Sequence, residues 1–397
     1  MTLRVAVVGG SLGGLTAALL LRDLGCEVDV YERSAVELSG FGAGIVVHPE
    51  TVRYLVGHGV ALEDISAAAP VVRWLGADGG VVHEEPRGHR FTAWSTLYRG
   101  LLDLFGRERY HQGAPFVGLA TGGTDVTLRF ATGARVRADL AVLADGVLST
   151  ARRRLEPAAA PRYAGYVGWR GTVEEGALSA GTFGALYGAL TYARHEGGHI
   201  VAYPIPNLDG SVDVGRRLMN YVWYRNVAEG PGLDELMTDR TGLHRPISLH
   251  PGAVQEAFVD ELRRAAERDL PPPLAEMVVR TPEPFVQAIV DVETPRLVHG
   301  RACLIGDAAF AARPHAAAGT AKAAHNARTL AEALDAEDMD VPRALARWEP
   351  GALALGRALV ARTREIGDRS QSGPGWTPGD PAIRFGLHRP GDHDPDA

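Results

Sequence analysis

Leu3-Arg4-Val5-Ala6-Val7-Val8-Gly9-Gly10-Ser11-Leu12-Gly13-Gly14 leads into an apolar stretch ending at Leu24-Gly25, and the chain returns as Val28-Asp29-Val30-Tyr31-Glu32-Arg33-Ser34. The short apolar run before Gly9 suits a strand buried on both faces of a parallel sheet. Gly9 permits the tight turn that follows, and Gly14 lets the next helix pack closely on the strand. Unpaired N–H groups at that helix start carry partial positive charge and suit a pyrophosphate. Glu32 stands 18 residues beyond Gly14, where a carboxylate can accept hydrogen bonds from ribose hydroxyls. Ser11 replaces the middle glycine of the G-x-G-x-x-G pattern, and its hydroxyl can donate to a phosphate oxygen. A lone glycine pattern would also fit a bare βαβ turn; here strand, helix and acidic residue all fall in place. Dinucleotide binding is expected through Gly9, Ser11, Leu12, Gly14, Glu32 and Arg33.

The 397 residues are 46% hydrophobic, enough for a large core and two closely joined domains. With 41 Lys and Arg against 48 Asp and Glu, the net charge is −7, which argues against nucleic acid as a partner. The run Arg152-Arg153-Arg154 reads as a solvated helix start. No apolar run approaches the roughly 18–20 residues of a membrane span, and no leader-like segment precedes the first strand. Cys26 and Cys303 are too few for a disulfide framework or a cysteine-based zinc site. A cytoplasmic location and no metal site are expected.

Further along, Gly42-Ala43-Gly44-Ile45-Val46-Val47 reads as a strand whose backbone approaches a flat ligand with no Cβ in the way, placing Gly44, Ile45 and Val46 at the cofactor. Residues 51–66 read as a helix with Val52, Leu55 and Val56 on one face. Asp78-Gly79-Gly80 marks a hairpin between Val71–Leu75 and Val81–Glu84, and a helix begins near Ser95. A small meander over 116–137 feeds Asp139–Gly146, a second buried strand ending in an acidic residue and a glycine. Residues 161–228, rich in Tyr, Trp and Val, read as a separate sheet with one face toward helices and the other toward a pocket. A charged helical stretch, 232–276, is broken at Pro271-Pro272-Pro273. Phe285 to Asp291 is a further strand, and Ala302–Asp307 a third buried one ending in Gly-Asp. Helices follow over 320–334 and 341–368, then a Gly/Pro-rich tail expected to lie on the surface or lack order.

The glycine turn with Glu32, the pair Asp145-Gly146 and the pair Gly306-Asp307 stand in an order that resembles the class A flavin-dependent monooxygenases, of the p-hydroxybenzoate-hydroxylase type of fold. The resemblance covers nearly the whole chain. It implies an α/β protein: a discontinuous Rossmann-like FAD-binding domain (1–75, 96–160 and 277–342), an inserted β-rich substrate-binding domain (76–95 and 161–276), a C-terminal helix (343–370) and a tail (371–397). It further implies that FAD is held by the glycine turn, by Asp145, by Gly306 and Asp307, and by a loop containing Pro314, Ala317, Ala318 and Gly319. Taken alone, Asp145 or Asp307 could instead cap the following helix. The stretches Leu38–Val47, Ala202–Pro206, Trp223–Pro231 and Arg313–Gly319 resemble the branch of that family acting on dihydroxypyridines, which uses NADH to hydroxylate an electron-rich ring.

In such enzymes NADH or NADPH reduces the flavin, O₂ adds at its C4a atom, and the hydroperoxide delivers one oxygen atom to a nucleophilic carbon. A small aromatic or heteroaromatic substrate, such as a dihydroxypyridine or phenol, and a homodimer are what the resemblance implies. Alternatives are a natural-product tailoring oxygenase performing epoxidation or Baeyer–Villiger chemistry on a larger substrate, and a flavin-binding redox sensor. His315 could accept or orient a substrate proton, or be a loop histidine bonded to backbone. His48 and Tyr203 are the other catalytic candidates, and Trp223, Arg313 and Phe285 the substrate-pocket candidates. Plain core aromatics, or for Arg313 a surface ion pair, are the competing readings. Lys322 reads as an exposed helix charge. Four positions depart from the family pattern: Phe310 where His is usual, Ala317-Ala318-Gly319 for Gly-Gln-Gly, His325-Asn326-Ala327 for Glu-Asp-Ala, and Ser95-Thr96 where an Arg is common.

Overall fold

A computed structural model describes residues 2–38 and 44–392. Among them, six strands form a mostly parallel sheet in the order Val298–His299, Ala302–Leu304, Leu140–Leu143, Arg4–Val8, Glu27–Tyr31 and Tyr110–His111. Its register sets Val8 beside both Tyr31 and Leu143, and Leu143 beside Leu304. The strands therefore end level, and Gly9, Glu32, Asp145 and Asp307 follow just beyond one edge. Chain order reverses on either side of Arg4–Val8, which makes this edge the crevice where open α/β sheets bind ligands.

The helix Leu12–Asp23 lies hard against the first strand. A Cβ on Gly14 would fall 1.9 Å from the Gly9 carbonyl oxygen, and one on Gly9 (φ +101°) would fall 2.3 Å from that of Ala144. Gly13 and Gly306 both pack on Ala323 of the helix Gly319–Ala336.

A second sheet, nine-stranded among the described residues, is centred on four long strands: Arg162–Glu174, Leu218–Asn226, Gly198–Ile205 and Ala189–His195. Val71–Leu75 pairs with its Ala189–His195 edge and Phe285–Glu293 with Arg162–Glu174. The expected domain boundaries at 75 and 277 would thus leave both strands apart from the sheet they complete. One face, carrying Trp169, Tyr221 and Trp223, packs under the helices Glu256–Asp269 and Pro272–Val279. The other face carries Tyr203, Val222 and Tyr224 and looks onto a cavity.

Several local expectations are revised. The helix expected over 51–66 is Pro49–Gly57, followed by a turn at Gly59 (φ +85°) and a short 3-10 helix; Val52 and Leu55 are buried but Val56 is exposed. Within the β-rich stretch a helix, Ala180–Leu186, is capped by Ser179. The charged region holds three separate helices, Pro231–Leu236, Glu256–Asp269 and Pro272–Val279, because prolines start the first and third. The tail, described to residue 392, runs along the surface as expected over much of its length, but it is anchored there by Trp376, Phe385 and Leu387, which are buried. Among the described residues no helix is long and apolar enough to cross a membrane. Gly42 and Ala43 of the expected flavin-facing strand lie outside the described residues; Gly44–Val46 is a strand pairing with His89–Ala93.

Candidate active site

Two spaces meet along the crevice. A cleft of about 440 Å³ is lined by Gly9, Ser11, Glu32, Arg33, Asp145 and Gly146. A cavity of about 280 Å³ lies between the second sheet and the loop after Gly306-Asp307. Trp94 borders both, so an elongated ligand can reach from one into the other.

The cleft has the donor and acceptor set of a dinucleotide site. Ser11 precedes the helix but its hydroxyl makes no capping bond, and Leu12 is the buried first helical residue. The buried Glu32 carboxylate accepts from the backbone N–H groups of Gly10 and Ser34, both at 2.8 Å. A carboxylate has about four lone-pair sites, so acceptor capacity is left for ribose hydroxyls. Asp145 accepts from the Ser149 hydroxyl and, at 3.1 Å, from the Ala151 N–H; it serves the start of helix Thr150–Leu155 and also faces the cleft. Together with glycines that no larger residue could replace, these groups fit the ADP portion of FAD.

At the cavity end, Gly44, Ile45 and Val46 form one wall, opposite Asp307, Pro314, Ala317 and Gly319. A Cβ on Gly44 would lie 2.5 Å from the Tyr203 ring. Ala317 holds φ 52°, a left-handed conformation costly for a residue with a Cβ, where the family pattern has glycine. Ala318 is buried behind it. The buried Gly306 donates its N–H to Asn326 Oδ1 at 3.3 Å. The Asp307 side chain is about half exposed toward the cavity and pairs at 2.8 Å with Lys322. Lys322 is not an exposed helix charge: it is 1% exposed and also donates to the Phe310 carbonyl. Phe310 itself fills space left by Gly356, where a Cβ would meet its ring at 2.2 Å.

Of the three catalytic candidates, His315 and Tyr203 line the cavity and His48 does not. His48 caps the helix Pro49–Gly57, accepting from the Glu50 N–H at 3.1 Å, and its other nitrogen lies 3.8 Å from Asp392. Tyr203 stacks on Phe91 and donates to the Gly44 carbonyl at 3.1 Å. Burial raises its pKa, opposed by the charge of Arg170. His315 is buried with Nε2 2.7 Å from the Tyr166 hydroxyl, while its Nδ1 has no partner among the described residues. Burial, helped by the nearby Arg313, lowers its pKa to about 3. It is therefore a neutral hydrogen-bonding group at ordinary pH and not a proton acceptor of useful strength.

None of the three substrate-pocket candidates lines the cavity. Trp223 points to the helix side, donating to His195 at 2.7 Å, because side chains alternate across a strand and Val222 and Tyr224 take the cavity face. Phe285 is buried outside the lining, where Gln287, two residues on, takes its place. Arg313 is buried and committed to Asp291 at 3.1 Å and Asp368 at 2.6 Å, with Tyr166 below it. Arg152 belongs to no solvated run: wholly buried, it donates to the carbonyls of Val147, Ala159 and Ala308.

The residue that sequence reasoning missed is Arg170. It lines the cavity, and its Nε is buried without a partner; no carboxylate pairs with its guanidinium among the described residues. Its charge reaches the cavity, since it opposes the burial-driven rise in pKa of both Tyr203 and Tyr224. His199, also lining the cavity, bonds to Ser370 at 2.7 Å and is held neutral by burial.

Comparison with known proteins gives matches over both halves. Residues 2–78 match the FAD binding domain family and residues 163–291 the FAD binding domain-like family. The chain is 43% identical to a 2,6-dihydroxypyridine 3-monooxygenase of Paenarthrobacter nicotinovorans, covering 97% of this chain and 96% of that one. It is 30% identical to a 3-amino-4-hydroxybenzoate 2-monooxygenase of Streptomyces cremeus, over 96% and 92%. The solved structure of 2,6-dihydroxypyridine-3-hydroxylase from Arthrobacter nicotinovorans superposes with TM-score 0.93 at 42% identity, covering 98% of each chain.

Proposed function

The chain belongs to the FAD-dependent monooxygenases of the aromatic-hydroxylase type, and on that premise we propose that it hydroxylates a small hydroxylated heteroaromatic ring of the dihydroxypyridine kind, bound as its anion. The observation that carries this reading is Arg170, a cation in an otherwise largely apolar cavity with its Nε buried and unpartnered. A buried donor without a partner costs about 1–3 kcal/mol, a cost that a bound oxyanion removes.

FAD, when bound, supplies the acceptance of electrons from NADH or NADPH and the activation of O₂. The chain's own work is binding and orientation. Gly9, Gly14 and the Ser11 helix start receive the pyrophosphate, Glu32 and Arg33 the adenosine end, and Asp307, held by Lys322, the polyol. Arg170 favours the ionised ring, whose carbon is the more nucleophilic. With Tyr166 donating to Nε2 of His315, Nδ1 carries the proton and offers a donor to a ring oxygen. Tyr203 and Tyr224 supply apolar faces that keep water from the reacting carbon.

The second relative named above acts on a benzoate, whose anionic group would also suit Arg170. The cavity, which the flavin ring would share, is already just under the range of about 300–1,000 Å³ usual for ligand sites, which favours a single ring over a larger natural product. A homodimer and a cytoplasmic location belong to the same reading, and the two free, buried cysteines suit a reducing compartment. The test is to supply 2,6-dihydroxypyridine to the FAD-loaded protein with NADH and then NADPH. Ring-dependent nicotinamide oxidation with a product gaining one oxygen is expected; nicotinamide oxidation yielding only peroxide, with every hydroxylated ring tried, would overturn the reading.

A further inference from the structure

Beyond the helix Val341–Gln371 the chain turns back and closes one side of the cavity, beside the loop that carries His315, where the Gly386 N–H donates to the Ala316 carbonyl. Trp376, Ile383 and Phe385 all line the cavity. The turn carries little regular structure, one short 3-10 helix at Pro381–Ile383, yet it is fastened at many points. Arg194 donates to the carbonyls of Pro374 and Trp376, Arg369 to that of Gly375, and Arg362 to that of Gly386. Arg369 also pairs with Asp380 at 2.8 Å. The Trp376 indole donates to the Ile366 carbonyl, and its ring lies 4.2 Å from that of His199 and 6.0 Å from that of His315. A segment that only covered the surface would need neither the buried side chains of Trp376, Phe385 and Leu387 nor this set of cationic clamps.

We propose that residues 372–392 set the size limit of the substrate, with Trp376, Ile383 and Phe385 as specificity-determining residues. The inference rests on the single-ring reading above. Trimming these side chains opens space for a second fused ring without altering the sheet or the flavin-facing loop. Trp376 presses a single ring toward Arg170 and His315. Removing its indole gives room for a fused pair of rings and lets a single ring shift.

The experiment uses the full-length, FAD-loaded protein and the variants Trp376→Ala, Phe385→Ala and Ile383→Ala. Anaerobic titration of the flavin absorbance reads the Kd of 2,6-dihydroxypyridine and of 2,4-dihydroxyquinoline, and peroxide release reads loss of coupling. At least one enlarged variant is expected to bind the quinoline tenfold tighter than the wild type does, to bind the pyridine more weakly, and to release more peroxide. Ile383→Ala removes the smallest and most exposed of the three side chains, so it reports even if the buried aromatic variants do not fold. Unchanged ratios of the two Kd values in every folded variant would overturn the inference. Failure of the wild type to oxygenate any ring, with the binding ratios still shifted, would overturn the single-ring hydroxylase reading and leave this one standing.

Discussion

Replacing Arg170 by Met tests the site most directly, because the structure separates its effect on binding from its effect on folding. The guanidinium has no hydrogen-bond or ion-pair partner among the described residues, and Met keeps most of the apolar stem while removing an Nε–H that is buried without a partner there. Thermal stability of Arg170→Met should therefore equal or slightly exceed that of the wild type. A charge-assisted hydrogen bond to an oxyanion contributes about 1.5–3 kcal/mol. At 1.4 kcal/mol per decade, the Kd for a hydroxypyridine should rise about tenfold to a hundredfold. The assay is titration of the flavin absorbance from below to above the pKa of the ligand. Wild-type affinity should improve as the ring ionises, since Arg170 stabilises the anion, and Arg170→Met should lose that improvement. A variant that binds within about twofold of the wild type and keeps its pH dependence would show that the anion is held elsewhere.

Three further outcomes follow from the same geometry. Gly14→Ala sets a Cβ 1.9 Å from the Gly9 carbonyl, so strand and helix must part; overpacking of this kind costs about 1–3 kcal/mol, and FAD affinity measured by fluorescence quenching should fall at least tenfold. Lys322→Met leaves the Phe310 carbonyl without its donor and frees Asp307; the unpaired buried carbonyl costs about 1–3 kcal/mol, to be read as a lower urea midpoint of the FAD-loaded protein. Acid should destabilise the fold through His315 and His199, both held below the ordinary histidine value mainly by burial. The unfolded chain protonates them near pH 6.5 and the folded one far lower, so stability is full above about pH 6.5 and falls below it by roughly 1.4 kcal/mol per unit for each. Denaturation curves between about pH 7 and pH 5, above the range where carboxylates titrate, should show this slope, and His315→Phe should flatten it.

The nucleotide half was legible because its signals are local. Gly9, Gly14 and Glu32 lie within one strand-helix-strand unit, and their spacing is fixed by helix length and sheet register. Parity in the second sheet was harder. Both faces of Leu218–Asn226 are buried, one by helices and one by the cavity wall. A strand apolar on both sides carries no alternation to show which of Val222, Trp223 and Tyr224 faces which way. Arg170 offers a readable sign, a cation between Trp169 and Gly171 in the buried middle of its strand. The tail misled for a different reason. Its glycines and prolines dominate composition, yet Trp376, Phe385 and Leu387 decide its packing, and an average over the segment dilutes three side chains that each bury a large apolar area.

Long-range fastening was beyond reach from the sequence, and it explains why three distant motifs form one site. Ala323 touches both Gly13 of the first turn and Gly306 of the third, so one methyl group sets the spacing between two cofactor segments that lie nearly three hundred residues apart. Arg152 performs the same service between the second and third: its guanidinium bridges the carbonyls of Val147 and Ala308, just after Asp145-Gly146 and just after Gly306-Asp307. Asn326 adds an acceptor for the Gly306 N–H where the family pattern has an acid. None of these residues lines the cleft or the cavity. The crevice geometry is thus held by contacts behind it, which leaves Ser11 to line the cleft and Asp307 the cavity.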